Sequence, residues 1–91
     1  MKLDALTSAS LDRIKTALEG KPSGSYCEVA ASDVANICAI IPAEKASKTT
    51  LALAHGVRES ERDPKAPMVH QLTECLRHLI EQVGDALQPD H

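Results

Sequence analysis

Apolar and polar positions along the chain separate most cleanly near its end. From Pro67 to Leu87, a helical wheel at about 100° per residue gathers Met68, Val69, Leu72, Cys75, Leu76, Leu79, Ile80, Val83, Ala86 and Leu87 into one arc of roughly 140°. His70, Thr73, Glu74, Arg77, His78, Glu81 and Asp85 fill the opposite arc. Val69, Leu72, Leu76, Leu79, Val83 and Ala86 alternate three and four apart, the seam geometry of packed helices. The pattern predicts a helix over 67–87 and makes it the organising element.

Three further helices follow from the same reading. Leu3, Leu6, Leu11, Ile14, Ala17 and Leu18 share a face, which predicts a helix over 3–19 stopped by Gly20. Thr7 and Ser10 interrupt that face, so a later start at Thr7 or Ser8 is a second reading. Gly20-Lys21-Pro22-Ser23-Gly24-Ser25 is a loop rich in turn residues. Ser25 with Glu28 three residues later fits a capping box, and a helix is predicted over 26–41. Its apolar arc is wide, about 200°, which requires cover on two sides. Pro42 ends it and opens a helix over 43–58 with a narrow stripe of Ala43, Ala46, Leu53, Ala54 and Val57. Residues 59–66 read as a charged, proline-broken, mobile linker.

The expectation is therefore an all-α fold: a small antiparallel bundle or array of three to four helices, one domain over 1–91. Composition agrees with close helix packing, because the chain of 91 residues has one Tyr, no Phe and no Trp. The core must be built from aliphatic side chains, and sandwiches usually draw on aromatics.

Charge and cysteine usage narrow the function classes. The net charge is −3, the cations form no stripe, and no row of aromatics is available to stack on bases. Nucleic acid is thus an unexpected partner, and the acidic residues are too sparse for a DNA mimic. Three cysteines, Cys27, Cys38 and Cys75, are an odd set without paired spacing. They read as buried free thiols in a reducing, cytoplasmic setting. No secretory pattern opens the sequence, and no apolar run approaches the ~18 residues of a membrane span.

Candidate chemistry is thin. His70, Glu74 and His78 stand four apart, and two imidazoles with a carboxylate are credible zinc ligands. On a straight helix, however, His70 and His78 would lie about 12 Å apart and could not close on one ion. Glu44-Lys45-Ala46-Ser47-Lys48-Thr49-Thr50 lacks the glycines and the preceding strand of a phosphate loop. Asp33 is the single charge inside a wide apolar arc, so it either caps a helix break or pairs with a cation, Arg13 being one mate. No nucleophile elbow or paired carboxylates are present, and the thiols sit in apolar surroundings that raise their pKa. No catalytic residue, metal ligand set or cofactor is assigned.

These readings favour a small non-catalytic protein-binding module: a regulator, an adaptor, or an inhibitor such as a phage-type inhibitor of a bacterial defence system. Surplus apolar surface predicts a protein partner or a homodimer, with Val69, Leu72, Leu76, Leu79, Val83, Tyr26, Ile37 and Ile41 at the interface. The alternative is a binder of a small anionic ligand or nucleotide messenger, using Lys21, Lys45, Lys48 and Arg58 near helix ends. A metal-dependent enzyme is third.

Overall fold

The computed structural model describes residues 3–62, Lys65 and residues 68–87. Its elements run α1 (Ala5–Leu18), β1 (Tyr26–Ala30), α2 (Ala31–Ala39), α3 (Lys48–Arg62), β2 (Met68–Leu72) and α4 (Thr73–Leu87). The two strands pair antiparallel, so the chain is a mixed α and β fold and the all-α expectation is overturned.

The correction has one physical cause, repeated twice. Residues 26–39 and 68–87 each join a strand to a helix, and a helical wheel laid across such a junction averages two periods. In β1, Cys27 and Val29 point inward while Tyr26 and Glu28 point out, a period of two. Adding these to α2 widened the apparent arc to about 200°, although α2 itself does pack between α1 and α3. In β2, Val69 is buried whereas Met68 and His70 are exposed. The Ser25–Glu28 capping box is also overturned, because Glu28 lies mid-strand. The last helix opens at Thr73, after a strand over 68–72, and not at position 67 as the wheel predicted; Pro67 itself lies outside the described residues.

Side chains satisfy free N–H groups at the starts of α1 and α3, whereas α2 begins after Ala30 without a side-chain cap. Asp4 caps α1, its Oδ1 accepting from the Thr7 N–H at 2.7 Å. The helix ends at Leu18, and Gly20 takes φ +72°, the left-handed conformation that an L side chain resists. Gly24, at φ +85°, makes the second sharp turn of the loop into β1. The helix expected from 43 starts instead at Lys48, after turns in which the Lys45 and Ala46 N–H groups donate to Pro42 and Ala43 carbonyls. Ser47 is its cap: the hydroxyl accepts from the Thr50 N–H at 3.1 Å. At the other end α3 runs through residues 59–62, assigned above to a mobile linker; residues 63, 64 and 66 of that linker lie outside the described residues.

The core is aliphatic. Ile14 from α1, Val34 and Ile37 from α2, Val57 from α3, and Leu76 and Leu79 from α4 are fully buried. Leu11, Leu18, Ile41, Leu53 and Val83 extend it, and Cys27, Val29 and Val69 floor it from the inner face of the sheet. Burying one such side chain contributes about 1.5–3 kcal/mol, so these residues are the main source of stability. Among the described residues no helix is long and apolar enough to cross a membrane.

Candidate interaction surface

The β1–β2 ribbon has two faces of different character. Register pairs Tyr26 with Leu72, Cys27 with Gln71, Glu28 with His70, Val29 with Val69 and Ala30 with Met68. Side chains of directly opposed residues share a face. Cys27, Val29 and Val69 therefore turn into the core, and Tyr26, Glu28, Ala30, Met68, His70 and Leu72 form the outer face. An outer face normally carries polar residues. Here only Glu28 and His70 are polar, joined by an ion-pair contact of 3.0 Å between Oε2 and Nε2.

The exposed apolar side chains gather on this face. Among the described residues five large hydrophobics are exposed, and three of them are Tyr26 at 63%, Met68 at 42% and Leu72 at 36%. The other two, Leu6 and Leu51, lie on α1 and α3. Scattered single apolar residues are ordinary on a surface, whereas a group on one face of a ribbon is a candidate contact surface. Beside the Ala30–Met68 end opens a cleft of about 380 Å³, to which Arg13, Ala17 and Ser32 also contribute.

Most residues expected at an interface are spent inside the fold. Leu76, Leu79 and Ile37 are wholly buried, Val83 is 1% exposed, and Ile41 and Val69 are buried as well. Only Tyr26 and Leu72 of that set reach solvent, and they are cross-strand partners. Met68, Glu28 and His70 complete the face and were assigned elsewhere by sequence: Met68 to a helix stripe, Glu28 to a cap, His70 to a metal set. The signal for them is a period-two pattern beside Val29 and Val69. It is masked because the outer positions are themselves largely apolar.

The expected anion contacts do not converge. Lys48 lines a cleft with Thr49, Ala52, Leu53, Gln71 and Cys75. Arg58 lines another with Ala35, Cys38, Ala39 and Ala54. Lys21 and Lys45 are exposed, and their carbonyls accept from Arg77 and Gln82. Neither of these clefts brings two of the four cations together. The histidines and Glu74 are likewise dispersed. His70 pairs with Glu28, His78 Nε2 lies 2.9 Å from Ser47 Oγ, and Glu74 accepts from the Gly24 N–H. Among the described residues no group of three His, Cys, Asp or Glu side chains is placed to hold a metal.

Two polar networks fix the scaffold that carries the ribbon. Asp33, 4% exposed in the first turn of α2, accepts from Arg13 and from Ser10 Oγ at 3.0 Å. Ser10, wholly buried, also accepts from Asn36 Nδ2 at 3.1 Å. The Arg13 hydrogen bond holds the Asp33 carboxyl below the usual carboxylate range, against burial and with help from Ser10. In the second network Ser47, Thr50, His78 and Gln82 join the start of α3 to α4. All three cysteines are free thiols. Cys27 donates to the Ala17 carbonyl at 3.3 Å, and burial pushes Cys38 up to about 11, so it stays protonated at neutral pH. Comparison with family models, with curated proteins and with solved structures finds no match to this chain.

Proposed function

We propose that the protein is a non-catalytic binding module, a regulator, adaptor or inhibitor, whose contact surface is the outer face of the β1–β2 ribbon. The observation that supports this reading is the grouping of Tyr26, Met68 and Leu72 on one uncovered face. The inner face of the same ribbon is anchored in the core, so the outer side chains are presented with little backbone freedom left to lose on binding. Tyrosine suits such a role, because its ring buries apolar area while its hydroxyl keeps a polar partner. The free thiols fit a reducing cytoplasmic setting.

The test is capture by the untagged protein from its native host, followed by mass spectrometry, with wild type beside a Tyr26→Ser/Leu72→Ser variant. Both sites are exposed, so the variant keeps its native circular dichroism. A protein captured by wild type and lost with the variant supports the reading. Equal capture by both places the contact elsewhere and overturns it.

A further inference from the structure

The outer face of the ribbon is complementary to itself. It has two columns, Tyr26, Glu28 and Ala30 on β1 and Leu72, His70 and Met68 on β2, aligned row against row. The middle row sets a carboxylate, which only accepts when ionised, beside an imidazole that can donate: Glu28 Oε2 and His70 Nε2 are 3.0 Å apart. One end row is the Tyr26–Leu72 pair and the other the Ala30–Met68 pair.

The geometry points to a second copy of this chain as the occupant of the face, stacked about a two-fold axis that runs parallel to the strands. This rests on the reading that the ribbon face is the contact surface, and it names the partner. A rotation about that axis exchanges the columns and keeps the rows. Glu28 of one copy then meets His70 of the other, and the contact occurs twice, as a two-fold interface requires. Tyr26 meets Leu72 twice, and Met68 meets Ala30 twice, so apolar side chains cover apolar side chains at both ends. An in-plane axis at right angles to the strands keeps the columns and exchanges the rows. Glu28 would then be stacked on Glu28, two like charges desolvated against each other. The charge pattern selects the first axis.

The size of the face sets the strength. Five residues by two strands span about 17 Å by 10 Å. That is well below the roughly 800 Å² each partner gives to a stable interface, so the dimer forms and dissociates with concentration.

Sedimentation velocity of the full chain between about 10 μM and about 1 mM tests this, a range suited to weak interfaces. The weight-average mass of wild type is expected to climb from 9.7 kDa toward twice that value. His70→Glu, which puts carboxylates on both sides of every middle-row contact, is expected to stay monomeric throughout. The exchange variant Glu28→His/His70→Glu keeps the pattern self-complementary and is expected to restore association. Isotope-filtered NOEs between copies are expected from the Tyr26 ring to Leu72 methyls. A wild type that remains monomeric over the range overturns the second-copy proposal, as does a His70→Glu variant that associates like wild type. Intermolecular NOEs from Leu72 methyls to Met68, which the perpendicular axis would produce, overturn the axis. If wild type is monomeric while host capture still depends on Tyr26 and Leu72, the binding-module reading stands with a different partner.

Discussion

Arg13 holds Asp33 with two nitrogens: Nη2 lies 2.7 Å from Oδ1 and Nε 2.9 Å from Oδ2. The guanidinium sits at the surface, its side chain 57% exposed, while the Asp33 side chain is only 6% exposed. The pair ties α1 to α2 from the solvent side. Replacing Arg13 with Met keeps the apolar stem and removes the donors, leaving a buried carboxylate with Ser10 as its remaining side-chain donor. Loss of charged hydrogen bonds to a buried carboxylate is expected to lower stability by more than an ordinary surface ion pair contributes. Urea denaturation measures it, and a loss below about 0.5 kcal/mol would place the pair among ordinary surface ion pairs.

The same pair gives an acid limb to stability. Arg13 lowers the folded-state pKa of Asp33 below the unfolded value of about 3.9. The contribution is therefore complete above that value and is lost as pH falls through it toward the folded pKa. Asp33→Asn is expected to lower stability at neutral pH and to flatten the decline below about pH 4. Asp4, whose carboxyl is also held low by the Thr7 N–H, leaves a residual slope. Urea midpoints across the acid range, wild type against variant, read both effects; equal slopes would exclude Asp33 as their source.

Ser47 joins three partners at one hydroxyl: the Thr50 N–H, the Thr50 hydroxyl and the His78 ring. It starts α3 and docks that start on α4, where Gln82 accepts from the Ser47 N–H at 3.2 Å. Ser47→Ala is expected to cost about 1–2 kcal/mol, the upper range for a helix cap. Gln82→Ala acts on the same network, so the double variant is expected to cost less than the sum of the singles. A strictly additive pair in a thermal-denaturation cycle would show that the two residues act independently.

Where one period governed a segment, the chain was legible from its pattern. Leu11, Ile14 and Leu18 mark the buried face of α1, and Asp33 with Arg13 was recognisable because a lone charge among apolar neighbours needs a mate. The strands were not legible for a physical reason. A period-two pattern needs contrast between faces, and Tyr26, Met68 and Leu72 remove it by placing apolar residues outside. The residues that hide the ribbon are those proposed to bind. The start of α3 was obscured differently: alanines at 43 and 46 favour a helix, but the turn after Pro42 and the Ser47 cap decide the boundary.

Leu72 and Leu76 fall on one stripe of the helical wheel, and the structure separates them. Leu72 ends β2 on the outer face at 36% exposure, whereas Leu76 lies inside α4 with none. Leu76→Ala removes atoms from a packed interior and is expected to cost about 2–5 kcal/mol, set by how far its neighbours collapse into the gap. Leu72→Ala removes a side chain that is 36% exposed, so its cost to the monomer is expected to be about 1 kcal/mol, well short of the cost at Leu76. The ordering is what distinguishes the strand from a helix running through 67–87, in which both leucines would face the core and both substitutions would be severe. Chemical denaturation at low micromolar protein, where association contributes nothing, gives the comparison. Similar large losses at the two sites would restore the continuous helix and remove the outer face on which the binding proposal stands.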